Sequence, residues 1–163
     1  MTIIAIDGTF ASGKGTLGKR LADHYGLAYL DTGKLYRAVG YAVMQAGDNP
    51  DNAAHAAKAA KALTGTELDD PILKSGEVAV NASKVAIHSE VRQALFQFQR
   101  DFASKGAVLD GRDIGTVICP DADVKFYVDA KAEIRAERRH KELTGYGEDI
   151  SFETVLALSL IHI

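Results

Sequence analysis

The chain has 163 residues, 47% of them hydrophobic and 25% charged, which is enough for one domain with a buried core. A net charge of −3 argues against a protein that binds nucleic acid or a membrane surface through positive charge. No apolar run approaches the roughly 20 residues of a membrane-spanning helix, and the apolar start lacks the basic residues of a signal peptide. The single cysteine, Cys119, excludes an internal disulfide and fits a reducing cytosol.

Short apolar runs alternate with longer amphipathic ones along the chain. The apolar runs predict strands at 2–6, 27–30, 107–109 and 124–128. The amphipathic runs predict helices at 14–24, 34–46, 53–63, 90–104, 132–143 and 152–158. This order predicts an α/β fold with a parallel sheet between helices. The first, third and fourth strands are nearly all apolar, so we expect both of their faces to be covered.

A glycine-rich segment follows the first predicted strand and opens the first predicted helix. It reads Gly8-Thr9-Phe10-Ala11-Ser12-Gly13-Lys14-Gly15-Thr16. Glycines let a loop turn its N–H groups toward one anion, and the helix N-terminus adds partial positive charge. Lys14 would reach the outer phosphates of a nucleotide, and Thr16 a phosphate oxygen or metal-bound water. The alternative is a glycine-rich turn with a surface lysine, but the strand–loop–helix order favours a phosphate site.

The second predicted strand is followed by Asp31, Thr32 and Arg37. Either of the first two residues would serve as the cap of the next helix. Arg37 lies one turn into that helix, where its guanidinium could bind a second phosphate through two hydrogen bonds.

The third predicted strand is followed by Asp110, Arg112 and Asp113. At a strand end beside the loop, Asp110 could hold water bound to Mg²⁺. Arg112 suits a phosphate, and Asp113 suits a donor on a base or sugar. An Asp-Gly turn with a local Arg–Asp pair explains this segment equally well.

Several other arginines lie on predicted helices, and a binding role is one interpretation for some of them. Arg92 begins a long helix, where a solvated face is the alternative to a binding role. Arg135 and Arg139 share one face at i, i+4 spacing, and a clamp on the donor nucleotide and a salt-bridged surface both remain open. For Arg138 we favour a solvated, salt-bridged surface.

Four motifs follow one another along the chain: I-x-I-D-G-x-x-x-S-G-K-G-T, L-D-T-G-x-x-Y-R, V-R-x-x-L-x-x-x-Q-R and D-G-R-D-I-G-T-V-x-x-P-x-A. Together they resemble the bacterial cytidylate kinases, P-loop nucleoside monophosphate kinases that phosphorylate CMP and dCMP with ATP. The resemblance extends over about residues 1–156. It implies one kinase domain over 1–163, with a short monophosphate-binding insert at about 50–90 and the start of a lid at about 140–152.

The resemblance also implies roles for single residues. The ATP phosphates would be held by Gly8, Thr9, Phe10, Ala11, Ser12, Gly13, Lys14, Gly15 and Thr16, with Arg135 as a further ATP contact. The CMP base region would be contacted by Thr32, Arg92 and Asp113, and the CMP phosphate by Arg37 and Arg112. The catalytic residues would be Lys14, Arg112 and Arg139. Mg²⁺ would be bound through water by Asp110. The expected partners are small nucleotides, without nucleic acid polymer or membrane, the expected location is the cytoplasm, and the full-length parent is expected to be a monomer.

Three features depart from the family pattern. Thr9 stands where many members carry Pro, and Lys74 stands where they carry a forked Arg. The segment after Phe152 has neither the R-D-x-x-D-x-x-R pattern of the lid nor a fifth strand. We therefore expect a chain that is truncated at its C-terminus, and the origin of its tail at 159–163, native or foreign, stays open.

Without those elements, the fourth strand should be an exposed apolar edge. The 163 residues by themselves are then expected to self-associate and to show no measurable CMP kinase activity. The alternatives left open are an inactive nucleotide-binding fragment and a P-loop kinase for another small metabolite.

Overall fold

The computed structural model describes residues 1–161 and divides into two compact units. The first unit consists of Met1–Leu30 and the described part of Ala103–Ile163, and the second is Asp31–Phe102. The sequence leaves open the origin of the tail at 159–163. The last two residues of this tail, 162 and 163, lie outside the described residues. No helix among residues 1–161 is long and apolar enough to cross a membrane.

The first unit contains the sheet, which has four strands in the described residues, in the order β2-β3-β1-β4. The strands are β1 (Ile3–Gly8), β2 (Ala28–Asp31), β3 (Ala107–Gly111) and β4 (Val124–Val128). β1 pairs in parallel with β3 on one side and with β4 on the other. All four predicted strands are confirmed, and three of them end one or two residues later than predicted. Those added residues include Asp7, Asp31 and Asp110.

Three helices accompany this sheet: α1 (Lys14–Tyr25), α6 (Ala132–Gly145) and α7 (Phe152–Ile161). Helix α1 packs on the central strands, where Ile4, Ile6, Ala22 and Val108 form one buried cluster. Helices α6 and α7 form a second cluster, whose buried members are Ala136, Leu143 and Val155. The apolar positions of the predicted helices therefore face buried clusters, as amphipathic periodicity requires.

The second unit is helical. It holds α2 (Thr32–Gln45), α3 (Ala53–Ala62), α4 (Gly76–Val85) and most of α5 (Ser89–Ala103), with short 3₁₀ turns at Thr66–Asp69 and Pro71–Lys74. Its core contains Ala38, Leu73 and Val78. Helix α4 was not predicted, because its Gly, Val, Asn and Ser residues are weak helix formers. Its N-cap is Ser75, whose Oγ accepts a hydrogen bond from the Val78 N–H at 3.4 Å.

Strand β4 contradicts the expectation that both of its faces are covered. Val124, Phe126 and Tyr127 are exposed to 39%, 40% and 73%. The reason is position, because β4 is an edge strand whose described neighbour is β1. The prediction that this strand forms an exposed apolar edge is confirmed.

Candidate active site

The loop between β1 and α1 has the backbone geometry of an anion-binding nest. Ala11 and Gly13 both adopt positive φ angles, of 56° and 104°, and Ala11 is the one non-glycine residue that does so among residues 1–161. Such reversals turn successive N–H groups toward a common point. Helix α1 then begins at Lys14 without a side-chain cap, which leaves its first N–H groups for another acceptor.

Two side chains of the loop are suited to binding phosphate groups. Ser12 is buried, and its Oγ has no hydrogen-bond partner within the described part of the chain. A buried hydroxyl without a partner is costly, and a phosphate oxygen would satisfy it. The Lys14 ammonium lies over the same loop, where it donates to the Thr9 carbonyl at 2.7 Å. The nest, the hydroxyl and the ammonium together suit a polyphosphate.

Gly8 is required by a close approach of β4. A Cβ at this position would lie 1.9 Å from the Val128 carbonyl oxygen, and the φ angle of 151° also disfavours a side chain. The Thr9 N–H donates to that same oxygen at 3.3 Å. The loop therefore leaves β1 against the end of β4.

The carboxylate of Asp110 lies near the start of α1. Asp110 is opposite Ile6 in the β1–β3 register and is buried. The Tyr29 hydroxyl donates a hydrogen bond to its Oδ2. A Cβ on Gly15 would lie 3.5 Å from the Tyr29 hydroxyl and 3.8 Å from Asp110 Oδ2. The buried Asp110 carboxylate, which accepts the hydrogen bond of Tyr29, therefore lies next to Gly15, the second residue of α1.

A second buried carboxylate, Asp7, organises the segment after β3. It accepts hydrogen bonds from the N–H groups of Ile114 at 2.7 Å and Gly115 at 2.8 Å. These residues begin a π-helical turn, Ile114–Ile118, which the sequence did not predict. Partial burial raises the pKa of the neighbouring Asp113 carboxyl, and the negative charge of Asp7 raises it further. Arg112, just before it, is exposed.

Helix α6 contacts the loop through Arg138, which is exposed, as the interpretation of a solvated surface predicted, but which also bonds the loop. Its Nη1 donates to the carbonyls of Ala11 at 3.3 Å and Ser12 at 3.0 Å. Nothing in the sequence distinguished it from its neighbours, because the contact joins residues 126 and 127 positions apart.

The other two arginines of α6 have different surroundings. The Arg139 guanidinium lies 5.3 Å from the centre of the Phe10 ring and bonds Glu142 at 2.8 Å. Arg135 is buried and donates to the carbonyls of Ala130 at 2.9 Å and Ser159 at 3.4 Å. The ATP and catalytic roles of these two residues stay predictions.

The predicted acceptor residues of the second unit are tied to its own backbone. Asp31 caps α2, as one of the two interpretations predicted, by accepting from the Gly33 N–H at 3.0 Å. Thr32 is buried. Arg37 donates to the Leu73 carbonyl at 2.7 Å, and Arg92 donates to the carbonyls at positions 86 and 87, next to the end of α4.

Comparison with known proteins identifies the family. The family model described as cytidylate kinase matches residues 4–160. The chain belongs to the cytidylate kinase family. Cytidylate kinases of Azorhizobium caulinodans and Xanthobacter autotrophicus are 58% and 56% identical to it over 157 residues, which is 95% of this chain. That of Rhodospirillum rubrum is 53% identical over 160 residues, which is 94% of this chain.

The match covers 76%, 75% and 75% of the lengths of these three cytidylate kinases, in the same order. Among solved structures, an uncharacterized protein from Eubacterium ventriosum matches 98% of this chain and 69% of its own. Its TM-score is 0.51 at 17% identity, which is a likeness of fold. The α/β fold with a parallel sheet, expected from the alternation of elements, is confirmed.

Proposed function

We propose that this protein transfers the γ-phosphoryl group of ATP to the phosphate of CMP, and of dCMP, giving ADP and the cytidine diphosphate. The observation that supports the proposal is the loop after β1. In this chain, which belongs to the cytidylate kinase family, that loop forms a nest and contains a buried hydroxyl without a partner and a lysine. An oxygen of the CMP phosphate attacks the γ-phosphorus in line, and the bond to the ADP oxygen breaks. This transfer needs no protein nucleophile, so catalysis consists of positioning and charge neutralisation.

The donor site is proposed to be the loop from Gly8 to Thr16. The N–H groups at the start of α1 and the Ser12 hydroxyl bind phosphate oxygens. Lys14 leaves the Thr9 carbonyl for the outer phosphates, where its charge offsets the charge that spreads over the transferring group. Arg139 adds positive charge there, and Arg135 is the further ATP contact.

Mg²⁺ is the proposed metal, bound to the ATP phosphates. When bound, it neutralises phosphate charge and orients the γ-phosphoryl group. Magnesium usually takes only one or two protein carboxylates and keeps several waters, so a single carboxylate beside the loop is a suitable donor set. Asp110, held by the Tyr29 hydroxyl, would bind one of those waters.

The acceptor roles follow the family motifs. Arg37 and Arg112 are proposed to bind the CMP phosphate. Thr32, Arg92 and Asp113 are proposed to contact the base region. Residues at about 50–90 would form the monophosphate-binding insert, and those at about 140–152 the start of the lid. The proposed binding partners are the nucleotides ATP, CMP and dCMP, without nucleic acid polymer, and the proposed location is the cytoplasm.

A substrate panel tests the proposal. The purified protein is incubated with Mg²⁺–ATP and CMP, dCMP, UMP or AMP, and the diphosphates are separated by chromatography. If the protein turns over, CDP and dCDP should form fastest, and that turnover would overturn the expectation that these 163 residues are inactive by themselves. Preference for another acceptor, or failure to bind ATP, would contradict the proposal. ATP binding without turnover would instead confirm the expectation that these 163 residues do not complete the reaction by themselves.

Lys14→Ala is the matched variant for this assay. It removes a charge aimed at the transferring phosphate, so turnover should fall by roughly 10²–10³-fold, the loss typical of one preorganised donor. The fold should stay intact, because the side chain contacts a loop carbonyl rather than a core cluster. Circular dichroism provides that control. If the variant's turnover stayed within a few-fold of that of the unmodified protein, the assignment of this loop as the ATP site would be wrong.

A further inference from the structure

We infer that Arg138 is a positioning residue that holds the phosphate loop in its anion-binding form. The inference deepens the proposed function and rests on it for the identity of the nucleotide. It does not depend on which acceptor the protein uses.

The loop needs an outer contact because of its own geometry. When N–H groups turn inward toward an anion, the carbonyl oxygens of the same peptides turn outward. Ala11 also holds a positive φ of 56°, which is unfavourable for a residue with a Cβ. Such a conformation persists only when its surroundings fix it.

Arg138 supplies that contact. A single nitrogen, Nη1, donates to the carbonyls of Ala11 at 3.3 Å and Ser12 at 3.0 Å. A Cβ on Gly13 would lie 3.5 Å from the same nitrogen. The donor therefore spans the two peptides where the loop reverses, and hydrogen bonds from a charged donor are stronger than neutral ones.

The chain around Arg138 contacts the loop at two further positions. The Thr9 hydroxyl donates to Asp129 Oδ1 at 2.7 Å. This bond and the Ala130 N–H lower the pKa of Asp129. Phe10 lies under the Arg139 guanidinium. Together with the bonds of Arg138, these contacts mean that residues from the segment 129–139 contact four consecutive loop residues, Thr9 to Ser12.

The first test measures amide hydrogen exchange in the nucleotide-free protein. Arg138→Met removes the donor, and exchange of the Ser12 amide, which donates to the Thr9 carbonyl at 3.3 Å, should rise roughly tenfold. Arg138→Lys should restore part of the protection, because one ammonium can donate to both carbonyls as one Nη1 does. Arg20→Ala, which removes an exposed cation from α1, should change nothing.

Two exchange results would overturn the inference. One is unchanged exchange of the loop in Arg138→Met. The other is an equal rise in the peptides of β1 and β3, which would indicate a general loss of stability instead of a local effect.

The second test compares ATP with ADP by titration calorimetry. A loop that is less well formed binds both nucleotides more weakly, so Arg138→Met should raise both dissociation constants by a similar factor of roughly ten. A loss confined to ATP would mean that Arg138 binds the γ-phosphate directly, and would overturn the inference. Neither test uses CMP or turnover, so failure of the CMP kinase proposal does not affect them.

Discussion

At the scale of single residues, Asp113 combines a proposed binding role with an unfavourable environment. Partial burial and the nearby charge of Asp7 raise its pKa, so the folded state holds the proton more tightly than the unfolded state does. A group of this kind contributes stability below its unfolded pKa and loses that contribution as the pH rises through the folded value. At neutral pH the charged Asp113 therefore lowers the stability of the fold.

Asp113→Asn should consequently stabilise the protein at neutral pH. We expect the melting temperature to rise by about 2 °C at pH 7, a small effect because solvent screens the group. The rise should disappear below about pH 4, where the aspartate is protonated. Thermal unfolding across this range measures it, with the exposed Asp23→Asn on α1 as the control. A uniform rise at every pH would contradict the electrostatic cause.

The same variant should bind CMP more weakly while leaving ATP binding unchanged. A site built to bond a base loses affinity when one partner can no longer accept as a carboxylate. The KM values for the two nucleotides separate these effects. Equal changes in both values, or in neither, would assign Asp113 a structural role.

The sequence predicted the donor loop but not the residues that hold it. The loop is one contiguous segment of nine residues between a strand and a helix, so local pattern is sufficient to find it. Arg138 reaches that loop from another element, and Asp7 acts on Ile114 from 107 positions away. Such contacts depend on the tertiary fold, and without an alignment no local signal singles out either side chain.

At the scale of elements, the errors in the predicted helices and strands also come from tertiary contacts. Strands β1 and β3 extend beyond their predicted ends because Asp7 and Asp110 continue the backbone pairing despite their polar side chains. The π-helical turn Ile114–Ile118 begins where a distant carboxylate accepts two N–H groups, so local propensity did not predict it. Helix α4 forms from weak helix formers because Val78, Ala82 and Val85 are buried, which illustrates how packing overrides propensity.

Gly40 is where α2 and α4 approach most tightly in the second unit. A Cβ there would lie 2.8 Å from the Ala82 nitrogen and 2.9 Å from the Asn81 carbonyl carbon. Both are backbone atoms, so neither can move without displacing a helix. Gly40→Ala should therefore lower the free energy of unfolding by about 1–3 kcal/mol despite the better helix propensity of alanine.

Gly145→Ala is the matched control for that prediction. Gly145 ends α6, and no atom lies within 4 Å of its Cβ position. Without a clash, alanine should stabilise the fold by up to about 1 kcal/mol. Urea unfolding of the two variants measures both effects. Equal stabilisation by both substitutions would show that α2 and α4 have room at Gly40.

At the scale of the whole molecule, the exposed edge of the sheet governs association. The outer side of β4 presents unpaired backbone groups beside the exposed rings of Phe126 and Tyr127. Natural edge strands are often protected by charged side chains, especially lysine. The lysine of this strand, Lys125, donates to the Pro120 carbonyl at 2.6 Å, so its ammonium is held at the start of the strand.

The chain of 163 residues should therefore self-associate through β4, and Phe126→Lys should reduce that association. The substitution replaces one exposed ring of the edge strand with a charge and makes strand addition by a second copy unfavourable. Sedimentation velocity over a range of protein concentrations measures the change. Tyr25→Lys removes another exposed ring, from the end of α1, so it controls for the general loss of apolar surface. If both variants reduced association equally, apolar exposure alone would drive it. A chain that stays monomeric throughout the concentration series would show that the edge does not recruit a partner strand.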